Sequence, residues 1–333
     1  LNYTTGVANP YLLLEPSRSN IQTFSEYFGT YNKLNGASIT SNYSVSPEGY
    51  NNATRLELNS QFKSGIELAA AGTSVANKNH TVSCYVKSNG ADTEFRLKCT
   101  HSSVVDYLSN NLTATSEWQR FTFTQLFGAG ASNLINAGIL NSTTDNAADL
   151  SIYGFQLEQD SSYPTSYIPT YSVSATRAVD TCNKTNASGE IGQTEGTMFV
   201  DITIDNILGQ TNQPIPLSLK GLGSTNSYIQ LYNTGRVQAV HYGFGSIQAN
   251  INLFSYGLTD GRHKFAFVYS NNDFKLYIDG ALAGSETSGL VDAQSEVYLG
   301  YYNTFYNGTI NNHQTLIFPT ALTNAELATL TTI

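Results

Sequence analysis

The chain has few basic side chains. Its 333 residues include 16 Lys and Arg against 25 Asp and Glu, which gives a net charge of −9. Binding to nucleic-acid phosphates needs clustered basic residues, so this composition argues against a nucleic-acid partner, and its sign disfavours anionic membranes. The sequence also lacks any run of about 18 apolar residues, so no membrane insertion is expected.

Motifs for catalysis are equally scarce. Retaining glycoside hydrolysis needs two carboxylates about 5 Å apart, and the Glu-x-Asp-x-x-Glu run that supplies them on one strand face is absent. The isolated acids are interpreted as separate solvated charges: Glu195, Asp201, Glu286, Asp292 and Glu296. The five histidines are scattered without metal-ligand spacing, and no Gly-x-Ser-x-Gly elbow is present. We therefore predict a protein that is not an enzyme.

Aromatic residues and glycine are abundant by contrast. The chain has 22 Tyr, 16 Phe and 27 Gly but a single Met, and only 12% of its residues are charged. Aromatic residues suit the pleated surface of a sheet, and glycine with Asn, Ser and Thr supplies turns between short strands. The composition predicts an all-β protein, and the length predicts two domains of about 150 residues each.

Short strand-like segments recur along the whole chain and support this fold class. They lie at 53–58, 65–68, 80–87, 94–100, 118–124, 137–140, 149–157, 197–204, 214–220, 228–232, 236–241, 262–269, 274–278, 297–300, 307–310 and 316–318. Regular short strands separated by turn residues are typical of β-sandwiches and jelly rolls. The clearest hairpin joins 262–269 to 274–278, and its aligned aromatic and aliphatic side chains predict a packed sandwich core. Thr323 with Glu326 forms a capping box, so a short C-terminal helix is expected.

A stretch with two prolines divides the chain. Pro164 and Pro169 fix φ and remove backbone donors, so neither a helix nor a central strand can continue through them. We predict a jelly-roll domain at 1–160, a rigid extended connector at 161–193 and a second β-sandwich at 194–333. The fold prediction is thus two β-sandwich domains joined by a proline-containing connector.

The strand before this stretch has a definite predicted orientation. Simple alternation places one set of side chains on one face and the rest on the other: Ile152, Gly154, Gln156 and Glu158 against Tyr153, Phe155 and Leu157. Leu157 is expected to complete the first sandwich beside the apolar segment 12–14.

Sequence motifs in the first half resemble a known module. They are LLLEPSRSN at 12–20, FSE at 24–26, CYVK at 84–87, WQRF at 118–121, GFQLE at 154–158 and TSYIPT at 165–170. This set resembles a jelly-roll module of bacteriophage fibre and spike proteins, which is related in layout to carbohydrate-binding modules. The resemblance covers nearly all of residues 10–180.

The second half resembles a laminin-G-like, concanavalin A-like sandwich. The residues that carry this resemblance are GRHKFAFVY at 261–269, LYIDG at 276–280, YLG at 298–300, NGTI at 307–310 and ALTNAEL at 321–327. The tryptophan that often opens the central hairpin of that family is replaced by Arg262 and His263. Together the two resemblances imply an extracellular protein of the virion surface that contacts host surface polysaccharide and other virion proteins. They also imply a homo-oligomer, expected to be a trimer.

A structural calcium ion is the one cofactor that the resemblance leaves open. Jelly-roll sugar-binding modules often hold calcium near their first and last strands, which here would involve Glu15 or Asp149. An ion pair between Glu15 and either Arg18 or Arg177 is an equally good interpretation. The rim calcium site of laminin-G-like domains has no matching cluster of Asp and Asn.

Aromatic rings in non-alternating segments are the candidate sugar-binding groups. Such rings stack on the C–H face of a pyranose while amides and carboxylates bind the hydroxyl groups. The predicted glycan-binding residues are Tyr301, Tyr302, Asn303, Phe305, Tyr306, Asn307, Tyr242, Phe244 and Tyr256. Converging hairpin ends would bring the last three near 301–307. A competing interpretation is that these rings pack beneath loops or against a neighbouring subunit.

A second candidate surface lies in the first half. Its rings are Tyr27, Tyr31, Tyr43 and Tyr50, in a region expected to pack over the jelly roll. Three functional hypotheses remain open from the sequence. The chain could be a fibre or spike protein that binds host glycans, a structural virion decoration or assembly module, or the accessory region of a secreted polysaccharide-degrading enzyme.

The aromatic segment 301–307 yields a direct test. Replacing Tyr302 and Tyr306 together by Ala should weaken glycan or host-cell binding and leave the fold intact, because the change removes two stacking surfaces. A glycan array and an adsorption assay measure the binding. Unchanged binding would contradict this assignment.

Overall fold

The structure is a computed structural model that describes residues 11–73, 75–101, 106–210, 213–300 and 308–333. The chain divides into two compact units. Ser17–Ala178 forms the first, here called the N-terminal sandwich, and the segment ending at Pro16 joins Val179–Ile333 in the second, called the C-terminal sandwich. Within the described ranges, no helix has the length and apolar character needed to cross a membrane.

Nearly all regular structure is β. The strands are, in chain order, β1 Leu12–Leu14, β2 Arg18–Asn20, β3 Asn32–Leu34, β4 Ser38–Ser44, β5 Ala53–Leu58, β6 Gly65–Ala71, β7 Asn79–Ser88, β8 Thr93–His101, β9 Leu112–Ala114, β10 Gln119–Leu126, β11 Leu134–Asn141, β12 Ala148–Gln159, β13 Ala175–Arg177, β14 Cys182–Lys184, β15 Glu195–Ile204, β16 Leu217–Gly221, β17 Asn226–Leu231, β18 Val237–Gly243, β19 Ser246–Leu253, β20 Gly261–Ser270, β21 Phe274–Ile278, β22 Ala281–Glu286, β23 Gln294–Leu299 and β24 Ile310–Phe318. One α-helix follows, α1 at Asn324–Thr331. The all-β fold class predicted from composition is confirmed.

The N-terminal sandwich packs two antiparallel sheets against each other. One has the order β10-β7-β12-β2-β13, with β5 also paired to β12 and β4 to β5, and the other has the order β3-β6-β11-β8-β9. Alternate side chains of both sheets form one core, which includes Val82, Val86, Phe95, Leu97 and Ile139. The period-2 pattern of these strands is what lets each sheet bury one face.

The C-terminal sandwich has the sheets β1-β24-β15-β20-β21-β22 and β14-β23-β16-β17-β18-β19. The predicted hairpin is β20–β21, in which Phe265 pairs with Ile278 and Phe267 with Leu276 inside the core. The predicted capping box is also confirmed, because the Thr323 side chain accepts from the Glu326 backbone and Glu326 accepts from the Thr323 N–H. Both features depend on residues close together in sequence.

The placement of the first strand differs from the prediction. Leu12–Leu14 pairs with β24, with Leu12 opposite Asn312 and Leu14 opposite Ile310, and not with the strand that contains Leu157. The prediction that segment 12–14 lies beside Leu157 is therefore wrong. A three-residue apolar strand fits the edge of either sandwich, so its own sequence cannot specify the partner. The backbone of Glu15 then bonds Asp180, at the point where the chain returns.

The face assignment on β12 is also wrong for Ile152 and Tyr153, whereas the predicted separation of Phe155 and Leu157 from Gln156 and Glu158 agrees with the structure. The register with β7 shifts between Tyr153 and Gln156, and Gly154 at φ +65° sits in the β-bulge that causes the shift. The extra residue moves Tyr153 to the outer face, while Ile152, Phe155 and Leu157 all belong to the core. Simple alternation fails here because a bulge places two residues opposite one.

The proline-containing stretch was predicted to be part of a connector at 161–193. It belongs instead to the N-terminal sandwich, which ends at Ala178 rather than at 160. The Glu158 carboxylate accepts hydrogen bonds from the backbone N–H (2.9 Å) and the hydroxyl (2.6 Å) of Thr165. Gln156 Oε1 accepts from the N–H of Ile168 at 2.7 Å. These polar side chains hold segment 165–168 against the outer side of β12.

Asn20 completes this clamp from β2. Its Nδ2 donates to the carbonyls of Phe155 (3.3 Å) and Ile168 (2.9 Å), and its Oδ1 accepts from the N–H groups of Gln22 (3.1 Å) and Leu157 (3.0 Å). The side chain is fully buried. All four hydrogen-bonding positions of the amide are therefore used, which is the arrangement that makes a buried amide stabilising.

This geometry predicts a large effect of a nearly isosteric change. Asn20→Asp keeps the acceptor but removes both donors and buries a carboxylate, so the free energy of unfolding of the N-terminal sandwich should fall by about 3 kcal/mol. Chemical denaturation of the full chain measures it. Asn110→Asp, at an exposed position of the same sandwich, is the control. Equal denaturation midpoints for the two variants would contradict the clamp.

Candidate functional site

The predicted glycan-binding residues are only partly visible. Tyr301, Tyr302, Asn303, Phe305, Tyr306 and Asn307 lie outside the described residues. Tyr242 and Phe244 sit together where β18 turns into β19, whereas Tyr256 follows the far end of β19. The structure therefore brings the first two together but separates Tyr256 from them by the length of a strand.

Phe244 has an unusual backbone for its residue type. Its φ is +51°, it precedes Gly245 at φ +79°, and its side chain is 61% exposed. Two positive φ values in succession are typical of a tight hairpin turn, where Asn and Gly are favoured and a bulky side chain is strained. Asp292 supports this turn by accepting from the Phe244 N–H at 3.2 Å. Neither packing nor turn preference explains a phenylalanine here.

The second candidate surface, in the first half, does not act as a unit. Tyr31 is a core residue, 2% exposed, whose hydroxyl donates to the Phe24 carbonyl. Tyr27, Tyr43 and Tyr50 are exposed, and the Tyr43 ring carries the Arg55 guanidinium at 5.1 Å from its centroid.

A different set of tyrosines forms a connected surface on the outer side of the sheet that contains β12. Arg120 on β10, Tyr85 on β7 and Tyr153 on β12 lie in one cross-strand row. The Tyr167 ring packs edge-on against this row, with centroids 6.5 Å from Tyr85 and 5.8 Å from Tyr153. The bulge at Gly154 creates the row, because it turns Tyr153 outward.

Two carboxylates border these rings. Glu26 accepts from the hydroxyl groups of Tyr167 (3.0 Å) and Tyr171 (3.3 Å). Burial, together with the charges of Glu48 and Glu26, raises the pKa of Tyr153 well above its usual value. The Tyr153 side chain is only 1% exposed, and its hydroxyl has no hydrogen-bond partner among the described residues. We call this set the tyrosine face: Tyr85, Tyr153, Tyr167 and Tyr171 with Glu26, Glu48 and Arg120.

The opposite border is cationic. The Arg120 guanidinium lies 5.6 Å from the Tyr85 centroid and donates to Ser83 Oγ, while its Nε is buried and has no partner among the described residues. Lys87 lies 5.3 Å from the Trp118 ring, whose Nε1 donates to a backbone carbonyl. The surface thus combines ring faces, carboxylate acceptors and cationic donors.

The acids considered as a catalytic pair serve separate contacts. Asp201 forms a bidentate pair with Arg262 at 2.8 and 2.6 Å, and Asp292 accepts from Thr225 Oγ1 at 2.8 Å. Glu296 accepts from the Tyr298 hydroxyl at 2.6 Å.

The candidate calcium ligands are likewise occupied or dispersed. The Asp149 carboxylate accepts two bonds from Arg55, at 2.9 and 2.7 Å, and one from Asn89 Nδ2 at 2.7 Å. Glu15 is buried in the other sandwich. In the part of the chain that the structure describes, no group of three or more His, Cys, Asp and Glu side chains could hold a metal ion.

Sequence reasoning missed the tyrosine face. A usable signal was present at 84–87, where Tyr85 and Lys87 alternate with the core residues Cys84 and Val86. The bulge hid the matching outward position of Tyr153. The residues that Tyr167 contacts are distant from it in sequence, so no local pattern predicts these contacts.

No family model matches the chain, and no curated protein matches it. Solved structures similar to it include the CBM40 module of the Ruminococcus gnavus IT-sialidase, at 16% identity and TM-score 0.34 over 44% of this chain and 86% of that one. The CBM22-1 xylan-binding domain of Paenibacillus barcinonensis Xyn10C matches at 12% identity and TM-score 0.33, over 47% and 100%. Domain 4 of AbnA, a GH43 extracellular arabinanase from Geobacillus stearothermophilus, matches at 16% and 0.32, over 48% and 73%. At these values the similarity carries no argument about what this chain binds.

The construction of the tyrosine face can be tested at the bulge. A Cβ on Gly154 would lie 3.2 Å from Tyr85 and 3.3 Å from Tyr167, at a positive φ that alanine adopts poorly. Gly154→Ala should therefore lower the free energy of unfolding by about 1–2 kcal/mol. Gly90→Ala, where a Cβ meets nothing within 4 Å, is the matched control in thermal or chemical denaturation. Equal stability of the two variants would show that the bulge is not strained by a side chain.

Proposed function

We propose that the chain is a non-catalytic glycan-binding protein and that the tyrosine face contacts the sugar. The observation that carries this proposal is Tyr171, whose ring is 68% exposed while its hydroxyl is held by Glu26. A large ring left in solvent but fixed at its polar end costs little conformational entropy on binding. Its free face can stack on a pyranose ring.

The polar groups around Tyr171 complete the chemistry. Sugar hydroxyl groups both donate and accept, so they can bond to the Glu26 and Glu48 carboxylates and to the Arg120 guanidinium. Tyr85 and Tyr167 lie between these acidic and basic borders and supply apolar contact area. Such a surface offers recognition groups without an activated nucleophile.

A second glycan contact is proposed at the β18–β19 turn. Phe244 keeps its exposed ring in a strained backbone conformation, and strain of this kind is concentrated at functional sites. Tyr242 lies beside it. Segment 301–307 and Tyr256 remain further predicted contacts, at positions the sequence selects.

We propose the surface of a virion as the biological setting. The motifs of the two halves resemble a fibre or spike jelly roll followed by a laminin-G-like domain, which supports a role in host adhesion, with a host surface polysaccharide as receptor and a homotrimer as assembly. A virion decoration module and an accessory region of a polysaccharide-degrading enzyme are the alternatives. The mass of the particle in solution distinguishes them, since a trimer favours the fibre.

The binding role has a direct test on the full chain. Tyr171→Ala and Glu26→Gln should each weaken binding to the best ligand of a glycan array about tenfold, because each removes a contact worth about 1–1.5 kcal/mol. Titration calorimetry measures the affinity. Phe62→Ala, which removes a similarly exposed ring from the same sandwich, is the control. The proposal fails if both tyrosine-face variants bind as tightly as the control.

A further inference from the structure

An arginine on the C-terminal sandwich is in contact with two aromatic rings. Arg236 lies in the turn between β17 and β18, and its guanidinium carbon is 4.1 Å from the Tyr232 centroid and 4.4 Å from the Phe254 centroid. Its Nε donates to Asn252 Oδ1 at 2.7 Å, and its Nη2 donates to Gln238 Oε1 at 3.1 Å. These contacts fix the plane of the guanidinium group.

Arg236 has no carboxylate partner among the described residues. Arg55 and Arg262 do have one, in Asp149 and Asp201, whereas Arg96 and Arg120 donate to a backbone carbonyl and a serine hydroxyl. Acidic side chains outnumber basic ones in this protein, 25 to 16, so a shortage of acids does not explain the missing carboxylate partner. The described residues give its Nη1 no hydrogen bond. The outer end of the guanidinium group is therefore free to bind an anion.

The neighbouring amides form an ordered array. Gln238 Oε1 also accepts from the Tyr232 hydroxyl at 2.5 Å, and Gln238 Nε2 donates to Asn250 Oδ1 at 2.7 Å. Gln238 is buried, so its amide has a fixed orientation. Gln238 Oε1 thus accepts from both Arg236 and Tyr232, while Asn250 holds the other end of the amide, and none of these groups carries a negative charge. The array therefore positions Arg236 without neutralising it.

Phe254 gives the site an apolar wall. Its ring contacts the Arg236 guanidinium and is nevertheless 69% exposed. An apolar ring beside a free cationic group suits a ligand that has both a single negative charge and an apolar C–H face. The net charge of −9 disfavours ligands of high negative charge density.

We propose that Arg236 and Phe254 form a site for an acidic sugar unit, in which the guanidinium group binds the sugar carboxylate and the Phe254 ring packs against the pyranose. Planar guanidinium groups bind carboxylates through two parallel N–H···O bonds, here from Nη1 and the second N–H of Nη2. The site extends the proposed glycan binding to a second sandwich. It shares no residue with the tyrosine face, so each can fail without the other.

Titration calorimetry on the full chain tests the site with two acidic probes and their neutral matches. The probes are tetragalacturonate against its methyl ester, and sialyllactose against lactose. At least one acidic probe should bind more tightly than its neutral match, with an affinity that falls as salt is added. Arg236→Gln should bind that probe about tenfold more weakly, because the variant loses the charge-assisted hydrogen bonds to the carboxylate. Arg236→Lys should recover only part, because it restores the charge without the planar fork.

Control variants separate binding from folding. Phe254→Ala removes an exposed ring, so it should weaken binding severalfold at unchanged thermal stability. Lys33→Gln removes an exposed positive charge from the other sandwich and should bind as wild type. The inference is overturned if neither acidic probe binds, if the neutral matches bind equally, or if Arg236→Gln retains full affinity. Tighter Arg236-dependent binding of a sulfated tetrasaccharide would overturn the carboxylate assignment. If the inference fails in any of these ways, neutral-glycan binding that is lost in Tyr171→Ala but kept in Arg236→Gln would still support the proposed function of the tyrosine face.

Discussion

The N-terminal sandwich depends on satisfying polar side chains that are buried on the outer side of its own sheet. Gln156 and Glu158 on β12 and Asn20 on β2 would be costly to bury without partners. Segment 165–168 supplies those partners through backbone groups. The same segment carries Tyr167 onto the row of Tyr85 and Tyr153. One hydrogen-bonded clamp therefore both closes the fold and assembles the candidate site.

Features set by neighbouring residues could be predicted from the sequence. Alternation along β20 and β21 gives the hairpin register, and Thr323 with Glu326 gives the helix start, because in each case the interacting groups are a few residues apart. The partner of Leu12–Leu14 could not be predicted, since three leucines contain no information about a strand 300 positions away. The bulge at Gly154 was hidden for a related reason. A glycine within a strand permits a positive φ but does not require it.

The candidate site was less predictable than the fold. Searching for clustered aromatic residues selects segments rich in rings, but exposure and grouping depend on register and on loops that return from elsewhere. Tyr31 illustrates this, because it looked like a surface ring and lies in the core. Tyr153 illustrates the converse, since alternation assigned it to the face of Phe155. No sequence pattern selects Arg236, because the lack of an acidic partner is visible only in three dimensions.

The pairing of β1 with β24 makes the N-terminal sandwich an insertion between the first strand of the C-terminal sandwich and the rest of it. During synthesis, Leu12–Leu14 leaves the ribosome before the inserted sandwich but cannot pair until β24 is made, after that sandwich has had time to fold. A fragment that begins at Val179 would expose the edge of β24 along Ile310–Asn312, a surface open to pairing with other chains. Leu12–Leu14 thus belongs to a sheet that is completed only once β24 has been made.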